Sequence, residues 1–167
     1  NYNETLRQDQ FRGLNLKSGK SLWTYAINED SVSSRTVAVS VNYTIIETVF
    51  PEKSELTCIQ TRTGQQIWKK TLPSADKYRV HQVDKEYFIL ATKKENFVEY
   101  ELQKIKTGKM LWLYNSELVG KSIPEVILYK KGLLITSKSL VSLDTKTGLV
   151  LWELPKISYN GTNAPPI

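Results

Sequence analysis

The residues that could carry out catalysis are few and isolated in this sequence. His81 is the only histidine and Cys58 the only cysteine among 167 residues. A zinc site with two histidines, a cysteine-based metal site and an internal disulfide are therefore all excluded within this segment. Cys58 lies in the alternating stretch ELTCIQT and His81 in YRVHQVDK. These patterns favour a buried small hydrophobic residue and a hydrogen-bonded structural histidine over a reactive thiol and a general base.

Carboxylates are the other groups that could do chemistry, as ligands of a hard cation. The candidates fall on expected strands or turns, and they are Glu52, Glu55, Glu95, Glu99, Glu101 and Asp144. Their intervals do not match the closely spaced ligands of a calcium-binding loop. The eight glycines occur singly, so a glycine-rich phosphate loop is absent, and no stretch resembles a nucleophile elbow. We expect no catalytic, cofactor-binding or metal-binding residue here, and no enzyme activity of this segment.

Charge and hydropathy narrow the classes of partner. The net charge of +6 comes from 23 basic and 17 acidic residues, and the basic ones occur in pairs such as Lys69-Lys70, which is typical of solvated turns. An arginine-rich stretch interleaved with aromatic residues is missing, so nucleic acid is not an expected partner. No run approaches the roughly 18 apolar residues of a membrane helix, so membrane association would need segments outside this sequence. The chain lacks an initial Met and a signal-peptide pattern, and we interpret it as a processed or excised piece.

The elements that would position these side chains are indicated by a repeated turn. Each copy is a short polar turn with a glycine, followed four residues later by a tryptophan. The four copies are Ser18-Gly19 before Trp23, Thr63-Gly64 before Trp68, Thr107-Gly108 before Trp112 and Thr147-Gly148 before Trp152. Successive tryptophans are 45, 44 and 40 residues apart. This period is typical of the four-stranded blades of a β-propeller.

Between tryptophans, short alternating segments rich in β-branched residues predict four strands per repeat. In the second repeat the predicted strands are 36–42, 43–49, 55–61 and 65–72, and the third and fourth repeats follow the same order. The first repeat has only its last two strands. The predicted fold is therefore all-β, a partial propeller of about three and a half antiparallel blades. We expect the propeller to span residues 1–154, with blade ends near 23–27, 68–72, 112–115 and 152–154, and a linker or exit segment at 155–167.

The glycine and the tryptophan of each copy have separate structural roles. Glycine supplies the positive φ that a short hairpin turn between a blade's third and fourth strands commonly needs. The Ser or Thr before it can hydrogen-bond to the turn backbone. The indole four residues later lies in the fourth strand, where it can cover the side of the neighbouring blade. We therefore expect these residues to dock one blade on the next.

The repeated copies resemble the pyrroloquinoline-quinone-like β-propeller repeats, whose pattern is Ala-x-Asp-x-x-Thr-Gly-x-x-x-Trp. The copy SLDTKTGLVLW matches best, with Asp144, Thr147, Gly148 and Trp152 in register and Ser142 in the alanine position. The other three copies keep Ser or Thr, Gly and Trp but replace the aspartate with Asn15, Gln60 and Lys104. The resemblance covers roughly residues 12–154.

This resemblance implies two functions. Some members of the family are quinone-dependent dehydrogenases, with a calcium site, an aspartate base and often a disulfide of adjacent cysteines, none of which can be carried over to residues of this sequence. Others include bacterial envelope-assembly lipoproteins and luminal sensing domains of unfolded-protein receptors. We predict a non-catalytic platform for protein interaction, assembly or sensing that works outside the cytoplasm, in a cell envelope, as a secreted protein or in the ER lumen. The alternative is half of a dehydrogenase whose pyrroloquinoline quinone and calcium are held by residues outside this segment.

The partners implied are proteins, together with whatever completes the ring. The remaining blades would come from the same polypeptide or from a second copy, since two segments of about three and a half blades make about seven. A blade turn with an aromatic and two basic residues, Tyr129, Lys130 and Lys131, is the candidate interaction loop. Possible N-glycosylation sites are Asn3, Asn42 and Asn160.

Overall fold

The computed structural model describes residues 10–118, 122–129, 132–136 and 138–155. Within these ranges the chain forms fourteen strands and one short 3₁₀ turn, Ala75–Lys77. The strands make four antiparallel sheets, one of two strands and three of four, each in simple sequential order. The predicted all-β partial propeller is confirmed.

Each sheet is one blade. Blade 1 consists of β1 (Gln10–Leu14) and β2 (Ser21–Ala26). Blade 2 contains β3 (Ser33–Val39), β4 (Tyr43–Val49), β5 (Ser54–Gln60) and β6 (Gln66–Leu72). Blade 3 contains β7 (Tyr78–Gln82), β8 (Tyr87–Lys93), β9 (Phe97–Lys104) and β10 (Met110–Glu117). Blade 4 contains β11 (Val126–Tyr129), β12 (Gly132–Thr136), β13 (Ser139–Asp144) and β14 (Val150–Pro155).

One strand lies three residues away from its predicted place. The alternation predicted a strand at 36–42, whereas β3 runs from Ser33 to Val39. The reason is the tight turn after it, where the backbone N–H of Ser40 donates to the carbonyl of Tyr43 at 2.7 Å and the Ser40 hydroxyl bonds the same residue. Apolar alternation continues through Val41, but the turn takes residues 40–42 out of the ladder. At the other end of the propeller, β14 continues through Pro155, and residues 156–167 lie outside the described part of the chain.

The hydrophobic core lies between blades. One buried cluster joins blades 2 and 3 and includes Ile45, Cys58, Tyr78 and Phe88. A second joins blades 3 and 4, with Trp112 in its middle. At these two interfaces each sheet buries a face against its neighbour, so the stability of a blade depends on the blade beside it.

Antiparallel strand order also sorts the connections into two rims. In each four-stranded blade the first and third turns lie at one end of the sheet, and the second turn and the link to the next blade lie at the other. The end that carries the four glycine turns is here named the glycine rim, and the other end the opposite rim.

Candidate functional site

The four glycine turns share one backbone geometry. Their glycines have φ values of 67°, 71°, 63° and 71°, in the left-handed region that disfavours side chains. The glycine N–H donates to the carbonyl four residues earlier, as in Gly148 to Asp144 at 2.8 Å. A bulge in the strand pairing lies beside each turn. These turns set the direction in which each fourth strand leaves the glycine rim.

The aspartate position of the repeat stabilises the turn. The carboxylate of Asp144 accepts hydrogen bonds from the backbone N–H groups of Lys146 and Thr147 at 3.0 and 2.8 Å, and from the Thr147 hydroxyl at 2.9 Å. The bonds from Thr147 hold the pKa of Asp144 below its usual range. Asn15 replaces it in blade 1 with two equivalent backbone bonds at 3.0 Å. The role is structural, so this carboxylate is already satisfied by its own turn.

Three of the four tryptophans pack on the glycine turn of the following blade. The indole N–H of Trp23 donates to the carbonyl of Thr61 at 2.8 Å, and a Cβ placed on Gly64 would lie 2.8 Å from the indole ring. The same pair of contacts recurs twice. Trp68 donates to Ile105 at 2.8 Å and covers Gly108, and Trp112 donates to Thr145 at 3.0 Å and covers Gly148. The turn glycine therefore has a second task, because any side chain there would meet the neighbouring indole.

Two half-junctions remain open among the described residues. Trp152 of the last blade is 42% exposed, and with Tyr129, Leu134 and Leu151 it lines a shallow, mainly apolar depression of about 460 Å³. At the other end, a Cβ on Gly19 would meet nothing within 4 Å. Leu16 is fully exposed. In this turn it corresponds to the residues whose carbonyls accept the indole bonds in the other turns, which are Thr61, Ile105 and Thr145. One end of the described chain presents a tryptophan and the other presents a glycine turn.

Two of the remaining candidate residues, Tyr129 and Asn42, lie in the described part of the chain. Tyr129 is an exposed residue at the end of β11, while Lys130 and Lys131 lie outside the described residues, as do Asn3 and Asn160. Asn42 is exposed in the turn between β3 and β4.

His81 and Cys58 are both located on strands. Cys58 is fully buried, and its thiol lies 3.5 Å from the carbonyl of Ile105. The expectation of a hydrogen-bonded histidine is wrong at Nε2, because that atom is buried and no described group bonds to it. Burial and the nearby Arg79 lower the pKa of His81. Burial and the nearby positive charge therefore favour the neutral imidazole, and His81 lies within β7.

The carboxylates do not fit a calcium and quinone site. Glu55 is bonded to Lys53 and Lys69 at 3.1 and 2.6 Å, and these bonds outweigh its burial and lower its pKa. Glu99 and Glu101 lie within 3.4 Å of Lys94 and Lys70, and Glu52 and Glu95 are exposed in turns. The described residues contain no group of three or more acidic, histidine or cysteine side chains able to surround one ion. They also contain no helix long and apolar enough to cross a membrane.

The burial of Cys58 leads to a direct prediction. Burial raises the pKa of its thiol to about 12, so almost no thiolate exists at pH 8 and the sulfur is out of reach of reagents. We expect a disulfide thiol reagent to leave native protein unmodified at pH 8 and to label one thiol per chain at once in denaturing urea. Complete labelling of native protein on the same timescale would show that blades 2 and 3 separate readily.

One sequence signal was overlooked in the prediction of candidate residues. A basic residue recurs two positions before the turn glycine, as Lys17, Arg62, Lys106 and Lys146. Read together with the blade topology, this repetition indicates that one rim is basic. The predicted interaction loop at 129–131 rests on a single turn and does not use this repetition.

Comparisons with known proteins complete this description. A family model described as outer membrane protein assembly factor BamB matches residues 7–164. A quinohemoprotein alcohol dehydrogenase from Pseudomonas putida is 14% identical with a TM-score of 0.57, over 87% of this chain and 31% of that one. A europium-containing methanol dehydrogenase is 13% identical with a TM-score of 0.57, over 89% and 38%. BamB from Moraxella catarrhalis is 18% identical with a TM-score of 0.46, over 93% and 49%.

The two dehydrogenase structures show that the fold is shared. The chain spans half or less of the length of each of these three structures. No match is found among curated proteins.

Proposed function

Since this chain belongs to the family of the outer membrane protein assembly factor BamB, we propose that it is a non-catalytic propeller segment that serves as a protein-interaction platform in assembly or sensing. The family match and the shared fold also confirm the resemblance to pyrroloquinoline-quinone-like repeats. The matching family is described as an outer membrane assembly factor, and we infer that this chain also works outside the cytoplasm, in a cell envelope, as a secreted protein or in the ER lumen.

The observation that carries this proposal is the open face of blade 4. Trp112 is 8% exposed where blade 4 covers it, whereas the equivalent Trp152 is 42% exposed. Leu154, two residues further along β14, is also exposed. An aromatic and aliphatic sheet face of this kind, with one unused indole N–H donor among the described contacts, is the composition expected at the centre of a protein interface.

The geometry of the closed junctions indicates what would cover this face. At all three junctions the cover is a glycine turn that offers a carbonyl to the indole N–H. A further propeller repeat supplies such a turn, and we infer that it comes from a second copy, whose Gly19 turn is uncovered by described residues. Protein partners would bind to the platform so completed.

The experiment is site-specific photo-crosslinking in the parent polypeptide, expressed in its own host. A photoreactive amino acid at Leu151, beside Trp152, should crosslink to another polypeptide, and Trp152→Ala should reduce the yield several-fold. The matched control carries the photoreactive residue at Glu95, which is exposed on the opposite rim. The mass of the product identifies a second copy or a different protein. Crosslinks that form only within one polypeptide, or equally from position 95, would refute a platform at this face.

The second candidate is half of a quinone-dependent dehydrogenase, which the shared fold favours. It would require ligands for pyrroloquinoline quinone and calcium outside the described residues, because the described residues contain no group of acidic, histidine or cysteine side chains able to surround one ion. A titration of the parent polypeptide with the quinone and calcium, followed by absorbance, tests this function. Saturable binding of both would favour the enzyme over the platform.

A further inference from the structure

The two rims of the propeller differ in charge. The described connections at the glycine rim carry seven basic and two acidic side chains, which are Lys17, Lys20, Arg62, Lys85, Lys106, Lys109 and Lys146 against Asp84 and Glu86. The described connections at the opposite rim carry four basic and six acidic ones, which are Lys53, Lys77, Lys94 and Lys138 against Glu29, Asp30, Glu52, Asp76, Glu95 and Glu125. The positive charge of the chain is therefore concentrated on one side, where it raises the local concentration of anionic partners.

The glycine rim contains a concave site between blades 2 and 3. A cleft of about 510 Å³ opens there, with three turns around it. Its lining consists of Ser40, Val41, Asn42 and Tyr43 from the β3–β4 turn, Lys85 and Glu86 from the β7–β8 turn, and Lys104 and Lys106 beside the third glycine turn. Tyr43 packs against the core between the two blades, which gives the cleft an aromatic wall on a rigid support.

The three lysines of this cleft differ from five lysines elsewhere in the described chain. Lys85, Lys104 and Lys106 form no ion pair with any described residue. By contrast, Lys53, Lys69, Lys70, Lys94 and Lys138 each lie within 3.4 Å of a glutamate. Three lysines and a single carboxylate, Glu86, line this cleft. An incoming anionic group would be attracted by this excess of positive charge.

We propose that this cleft binds an acidic peptide segment of a partner protein, with its carboxylates on Lys85, Lys104 and Lys106 and an apolar or aromatic side chain against Tyr43. A peptide suits the shape, because the positive charge surrounds a recess with an aromatic wall and polar side chains rather than a flat surface. Ser40 and Asn42 add hydroxyl and amide groups that can bond a peptide backbone. The cleft residues do not form the flat apolar surface that a membrane would contact. They also lack the several aromatic side chains on which nucleic-acid bases would stack.

Glycosylation at Asn42 would block this site. It is exposed, lines the cleft and begins the sequon Asn42-Tyr43-Thr44. An N-linked glycan there would stand at the mouth of the cleft, because the attachment point is one of the lining residues. Peptide binding should therefore be lost in any preparation that is glycosylated at Asn42.

The test uses the intact, unglycosylated chain and a fluorescein-labelled peptide of four glutamates around a tyrosine, with fluorescence anisotropy at low and moderate salt. Saturable binding is expected, about tenfold weaker for the double variant Lys104→Gln/Lys106→Gln, since two exposed charge contacts of up to about 1 kcal/mol each give a change of this order. Binding should also weaken as salt rises. A peptide with glutamines in place of the glutamates should not bind.

The matched control removes the same charge from the opposite rim, as Lys77→Gln/Lys94→Gln, and should change the affinity less than twofold. Equal weakening by both double variants would mean that only net charge acts, and it would overturn the proposal. So would tighter binding to phosphatidylserine vesicles or to a single-stranded oligonucleotide than to the peptide. The cleft shares no residue with the open face of blade 4, so each surface can fail its own test without affecting the other.

Discussion

Replacing Trp112 with alanine should lower the free energy of unfolding by about 3–5 kcal/mol, the usual cost of truncating a large buried aromatic side chain. The indole is 8% exposed in the middle of the core between blades 3 and 4. It also donates a hydrogen bond to the Thr145 carbonyl at 3.0 Å and covers Gly148. Its removal leaves a cavity between two sheets and an unbonded carbonyl, and backbone ladders on either side prevent the sheets from closing the gap fully.

The measurement is urea unfolding followed by circular dichroism, with a lower midpoint and an unchanged slope as the signature of lost stability. Trp152→Ala is the matched control, because it removes the same side chain at the same repeat position but from an exposed site. We expect it to cost less than about 1 kcal/mol. If the two variants lose equal stability, contact with the neighbouring blade contributes nothing to the stability that the tryptophan provides.

The second large effect concerns the turn glycines. Gly64→Ala should destabilise the protein by about 2–5 kcal/mol, from two separate causes. A φ of +71° imposes backbone strain of about 1–2 kcal/mol on a residue with a Cβ. The added methyl group would also lie 2.8 Å from the Trp23 indole, and overpacking of this kind typically costs about 1–3 kcal/mol.

Gly19→Ala separates the two causes. Gly19 has nearly the same conformation, with φ of 67°, but its Cβ would meet nothing within 4 Å. It should therefore show the backbone strain alone, about 1–2 kcal/mol. The effect of the substitution on the unfolded chain is common to both variants and cancels in the difference. Equal losses in parallel urea titrations would mean that Trp23 moves aside freely and that the junction is loose.

The architecture of this protein was readable from the sequence because its signals are local. A strand alternates within a few residues, and a hairpin turn needs its glycine within the turn itself. The repeat therefore identified the glycine turns and three complete blades. Even the misplaced β3 follows this rule, since the alternation was correct and the bond from Ser40 to Tyr43 decided where the strand ended.

The tertiary structure decided how residues that are distant along the chain lie relative to one another. The sequence suggested that a tryptophan covers a neighbouring blade, but only the fold shows that Trp23 lies on Gly64, in the next repeat. The basic cleft joins residues 40–43 to residues 85–86 and 104–106. The sequence showed their charges without their proximity. The physical reason is that strand and turn preferences are local to each segment, whereas junctions and clefts arise from the packing of one sheet on another, which depends on the twist and register of both.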